Sequence, residues 1–140
     1  MKQFIVLLAV LPLMLIFCVQ FSLDQVNNAK ISTLNDIVYA AKEQAKQDGC
    51  FTEETQGKMI ADIVEKLGID ESDILVELDT APVERLAGFG NFDENDGLIH
   101  YRIVVNLGKA MVGASLLDVK GADNVYRYVI DSYTASEMLL

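Results

Sequence analysis

The chain has 140 residues, 51% of them hydrophobic, and 21 Asp and Glu against 11 Lys and Arg give it a formal net charge of −10. That length bounds it to one modest domain, still able to bury a core. The acidic balance excludes the basic stripe of a nucleic-acid binder and the polybasic patch that holds proteins to anionic lipid heads; it fits a solvated, mutually repelling surface, with no nucleic-acid partner.

The first predicted element is apolar on every side. From Phe4 to Val19 there is no polar side chain, and Phe21 and Leu23 carry the run past Gln20 and Ser22. About 20 helical residues cover the ~30 Å hydrocarbon core of a bilayer. Removal as a signal peptide wants small residues before the cut. Here the residues around Val19-Gln20-Phe21-Ser22 are mostly bulky, and Cys18 follows Phe17, which is too large for a lipoprotein cut. The segment is therefore expected to stay. Lys2 is the only charge before the run and Asp24 the first after it. The positive-inside tendency then leaves the N-terminus in the cytoplasm and sends the acidic remainder outward. Pro12, at mid-run, removes a backbone hydrogen bond and tends to kink a helix, a break that neighbours in a membrane can re-satisfy.

The helical pattern continues beyond the apolar run. In "DQVNNAKISTLNDIVYAAKEQAKQDG", Ile31, Leu34, Val38, Ala41 and Ala45 recur at spacings of three and four, a narrow stripe suited to packing against a domain. The simplest reading is one helix from about Lys2 to Asp48, on the order of 70 Å long. Residues 1–23 form its apolar membrane or assembly half; residues 24–140 continue as an amphipathic half into a small extracellular domain. On one helix Cys18 and Cys50 lie roughly 48 Å apart, whereas a disulfide needs Cα atoms within about 7 Å. No internal bridge is expected. Cys18 reads as a small apolar residue, and Cys50 as a free thiol or a partner for another chain.

Gly49 is a C-terminal cap for the long helix. Thr52 reads as the N-cap of a second helix, with Glu53 and Glu54 in its first turn, where the dipole favours acid. Met59, Ile60, Ile63, Val64 and Leu67 form its buried face; Lys58, Asp62 and Lys66 lie four apart and can pair; Gly68 ends it. Beyond Gly68 the period changes to two. "DILVEL" (Asp73 to Leu78) is a strand. From Leu98, Ile99, Tyr101, Ile103, Val105 and Leu107 share one face, with His100, Arg102, Val104 and Asn106 on the other. "VYRYVIDSYTAS" (Val125 to Ser136) is a third strand, rich in β-branched and aromatic residues. The segments between strands, "TAPVERLAGFGNFDENDG" and "GKAMVGASLLDVKGADN", read as an exposed acidic loop ending at Asn95-Asp96-Gly97 and as a short helix or packing loop. The class is α+β: a long helix, a shorter one, and a small antiparallel sheet on the amphipathic half.

Chemistry is sparse. The one histidine, His100, lies on a strand, and the cysteines do not complete a zinc ligand set. No phosphate-cradling loop or G-x-S-x-G is present, and nothing local supports a Cys50–His100 nucleophilic pair. "DENDG" fails as an EF-hand: Gly97 at loop position 6 puts Phe92 first and Ile103 twelfth. A looser calcium site on Asp93, Asn95 and Asp96 is the alternative to a solvated turn, and the turn is preferred. Tyr126 and Tyr128 share a strand face and Tyr133 takes the other, as sheet packing requires. No enzyme, cofactor or metal is expected.

In layout, an apolar helix running into an amphipathic half capped by a small sheet resembles type IV pilin-like proteins. More narrowly, "VLLAVLPLMLIFCVQFSLDQ" followed by "NDIVYAAKEQAKQDG" is similar to the TadE-like pseudopilins of tight-adherence pili, where a Leu-Pro lies within the apolar helix. Sequence likeness covers roughly the first third of the chain. It implies a structural subunit that waits in the cytoplasmic membrane, then joins copies of itself in an extracellular filament with the help of pilus or secretion machinery. Its assembly helix would present Phe4, Ile5, Leu8, Leu11, Pro12, Leu15, Val19 and Leu23. Precursors of that family carry a short basic leader ending in Gly and usually a Glu fifth in the mature chain. Here the fifth residue is Ile5, and the acidic position counted back from Pro12 falls near Val6. Either Met1 follows a removed leader or no such cut occurs. The alternative reading is a single-pass anchored envelope protein that binds another surface or secretion component, through the 80s loop or "GKAMVGASLL", without polymerising.

Overall fold

The computed structural model describes residues 1–82, 97–108, 118, 120 and 124–138. Two helices and three strands follow in order: α1 (Lys2–Asp48), α2 (Glu53–Leu67), a single 3-10 turn (Glu71–Asp73), β1 (Ile74–Leu78), β2 (Leu98–Asn106) and β3 (Arg127–Ala135). The class is α+β, as the change of period at Gly68 predicts.

α1 is one uninterrupted helix of 47 residues with Pro12 inside it, about 70 Å from end to end. It stops where Gly49 turns left-handed at φ 78°, a conformation that costs a residue with a Cβ roughly 1–2 kcal/mol. The chain then reverses within a few residues into α2. Thr52 stays extended and its Oγ1 accepts the Thr55 N–H at 3.2 Å, satisfying one of the four free donors at a helix start. α2 ends on Gly68, also left-handed, whose N–H reaches the Val64 carbonyl.

The sheet is an antiparallel meander in the order β1-β2-β3. Ile74 faces Val105 and Leu78 faces Tyr101; Leu98 faces Ala135 and Asn106 faces Arg127. Ladder-like bonds continue past the strand ends, since Leu107 N–H donates to Tyr126 O at 2.8 Å and Tyr126 N–H to Gly108 O at 2.7 Å. The first strand begins at Ile74 rather than Asp73, because the 3-10 turn occupies the residues before it. The acidic loop over 83–96 and most of the 109–123 segment lie outside the described residues, and with them the Asp93, Asn95, Asp96 question.

One core joins all the layers. Leu34, Ile37, Val38, Ala41 and Ala45 from α1 meet Met59, Ile63 and Leu67 from α2 and the inner face of β2, Ile99, Tyr101, Ile103, Val105 and Leu107. Phe51, in the turn between the helices, is buried among them, its ring 5.9 Å from that of Tyr101 and tilted by 57°. Ile31, Ile74, Val76, Leu78, Tyr128 and Ile130 pack at the margin. Ile60 and Val64 are only half-buried, so the α2 stripe is narrower than its sequence suggests. The expected pairing of Lys58, Asp62 and Lys66 does not form among the described residues; the ion pairs of α1 join Glu43 to Lys42 and Lys46 instead. Asp62 lines the groove between the helices, while Lys66 sits exposed in the last turn.

Candidate functional site: the bare half of the long helix

The feature that sets this molecule apart from an ordinary small domain is the first half of α1. Phe4, Ile5, Leu8, Leu11, Leu15 and Val19 are each more than half exposed, Pro12 is exposed and Leu23 half-buried. Across residues 4 to 21 the large apolar side chains range from 40% exposed at Ile16 to 73% at Phe17. Those are the values of a helix with nothing beside it. None of the 18-residue apolar window is buried within the molecule, and its mean hydropathy is 2.8. The helix is therefore a candidate membrane span.

Magnitudes decide what such a surface does in water. At ~25 cal/mol per Å² of apolar area, leaving this run wet forfeits on the order of 30–40 kcal/mol, more than the whole folding stability of a typical domain. Such a surface favours an apolar surrounding over water. The few polar groups near its end are self-contained: Ser22 Oγ donates back to the Cys18 carbonyl at 3.1 Å, and Gln20 Nε2 donates to Asp24 Oδ1 at 3.0 Å. Pro12 leaves the Leu8 carbonyl without its intrahelical donor, yet the helix runs on through it.

The second half of α1 is buried along one side only. Leu34, Val38, Ala41 and Ala45 are buried and Ile31 is partly so. Two bonds that the apolar pattern does not announce pin this half to the sheet. Lys30 Nζ donates to the Leu107 carbonyl at 3.0 Å, and the Glu137 N–H donates to the Lys46 carbonyl at 2.9 Å. The latter satisfies an acceptor that the last turn of a helix always leaves free. Asn27, four residues before Ile31, is buried as well. The stripe thus runs back toward the apolar half in polar residues.

His100 pairs on the outer sheet face with Asp131, Nε2 to Oδ1 at 2.7 Å, and its ring lies 4.8 Å from that of Tyr133. Its backbone N–H donates to Asp79 Oδ2. Cys50 is a buried free thiol and is not among the contacts of that ring; Cys18 is free and exposed. Among the described residues no three His, Cys, Asp or Glu side chains converge as metal ligands would. A shallow groove of about 300 Å³ lies between α1 and α2, with Ala40, Ala41, Thr55 and Met59 in its walls and Asp48, Lys58 and Asp62 beside them.

Comparison with protein-family models, with curated proteins and with solved structures finds no match for this chain.

Proposed function

We propose that this protein is a structural subunit of a type IV pilin-like extracellular filament, held in the cytoplasmic membrane by residues 1–23 before assembly and packed by the same residues afterwards. One observation carries the reading: a bare apolar half-helix is continuous with the helix that forms the spine of a folded domain. An anchor needs only to cross the bilayer, and a flexible link to its domain suffices. A subunit that transmits its position to neighbours gains from a stiff joint, which the unbroken α1 supplies. In a filament core, Leu, Ile, Val and Phe side chains of one copy would pack against those of the next. Few small residues are present to bring backbones closer, since Ala9 and Cys18 are the only ones in the run. The acidic sheet side would face solvent.

The deciding experiment is electron microscopy of material sheared from cells that make the protein, with mass spectrometry of the same preparation. Filaments containing this chain are the expected result, and the measured N-terminus reports whether Met1 follows a cut. Recovery only in membranes, dissolving as a monomer in mild detergent, would leave the single-pass anchored reading in its place.

A further inference from the structure

The two bonds that pin α1 to the sheet also fix which end of the domain faces the apolar half. Lys30 and Lys46 are about 24 Å apart along the helix, and nine-residue strands such as β2 and β3 reach about 30 Å. The sheet therefore lies alongside α1, with Gly97, Ser136 and Glu137 at the far end and Leu107 and Tyr126 at the near end. Leu23 and Lys30 are separated by about 10 Å of helix rise. A helical side chain slants back toward the N-terminus, so the Lys30 amine and the Leu107 carbonyl it holds lie nearer still to the apolar half. The headgroup layer extends roughly 5–8 Å beyond the hydrocarbon core on each side. If residues 4–23 cross a bilayer, this end of the sheet is at headgroup height.

The groups displayed there suit that position. Tyr126 stands directly across from Leu107 and is 36% exposed; Val125 beside it is 37% exposed, and Val26, on the helix below Lys30, is half exposed. Arg127 follows on the opposite face of β3, its guanidinium Nε donating to Asn106 Oδ1. A tyrosine ring with a polar tip, with aliphatic side chains near it, is the composition that settles at a membrane–water boundary.

We propose that Tyr126 and Val125, together with Val26 of α1, form a second membrane contact, resting in the headgroup layer of the bilayer that α1 crosses and holding the domain against the lipid surface. The proposal rests on reading residues 4–23 as a membrane span. The chain contains no tryptophan, so single substitutions report position without background. Full-length Y126W, F17W and Y133W, each in phosphatidylcholine vesicles, would be quenched either by a nitroxide on the lipid headgroup or by bromines on the acyl chains. Tyr133 lies about 23 Å further along β3 and serves as the solvent reference. The expected result is at least threefold stronger headgroup quenching of Y126W than of Y133W, with F17W quenched by the bromines. Equal quenching of Y126W and Y133W, with F17W still quenched, overturns the second contact and leaves the span intact. An unquenched F17W overturns the span itself and the contact with it. V125W repeats the measurement from the neighbouring residue, should Y126W disturb the end of the sheet.

Discussion

Ile103 has no exposed surface and sits at the centre of β2 between Val76 and Ile130. Cutting it to alanine is expected to cost about 2–5 kcal/mol, from lost burial and the cavity left behind. Leu11→Ala, on the bare half of α1, should leave the domain within about 0.5 kcal/mol of its original stability. Urea unfolding of the full chain in mild detergent, followed by the near-ultraviolet signal of its tyrosines, compares the two. Lys30→Met keeps the length of the side chain and deletes its donor. The Leu107 carbonyl then loses its partner, and the same measurement should register about 1–3 kcal/mol. If that bond is only a surface contact, Lys30→Met will behave like Leu11→Ala.

At the scale of elements, α1 does two jobs with one backbone, and the boundary between them is visible in its side chains. Leu11→Asp places a charge in the middle of the bare half, where a translocon-type scale assigns about 2.5–3.5 kcal/mol against insertion. Alkaline carbonate should then release the variant from membranes that retain the parent chain. Both helix limits were legible because Gly49, Thr52 and Gly68 are strong local signals: a left-handed cap, a hydroxyl cap, and another left-handed cap. The strands were legible from their period, with Ile99 to Leu107 alternating between the core and the outer face. The 3-10 turn before Ile74 was not, since "ESD" has no periodicity to show. Nor were the Lys30 and Glu137 bonds, because each joins residues remote in sequence, and pattern arguments see only neighbours.

For the whole molecule, the point is mechanical coupling. A domain whose spine continues into the apolar half shares the orientation of that half, and the joint near residues 24–30 carries no packed neighbour on most of its sides. Inserting Gly-Gly-Ser-Gly after Gln25 should leave the urea midpoint of the domain unchanged, since every core residue lies beyond the insertion. The same insertion should weaken headgroup quenching of Y126W, because the contact then forms across a flexible link. It is also expected to prevent filament formation, read by microscopy of sheared material. Filaments of normal appearance from the inserted chain would show that stiffness at this joint is dispensable for assembly.

The sequence alone determined the order and kind of the elements, the apolar length of residues 4–23 and the faces that turn inward. These depend on the spacing of side chains along one backbone, and spacing is a local property. Only the tertiary structure decided that the sheet lies along α1 with Leu107 and Tyr126 toward the apolar half. It also decided that Lys30 and Lys46 are the points of attachment, and that His100 pairs with Asp131 rather than with Cys50. Each of those facts is a meeting between residues distant in the chain. Such meetings are selected by how the whole core closes, so no single stretch of sequence could contain them.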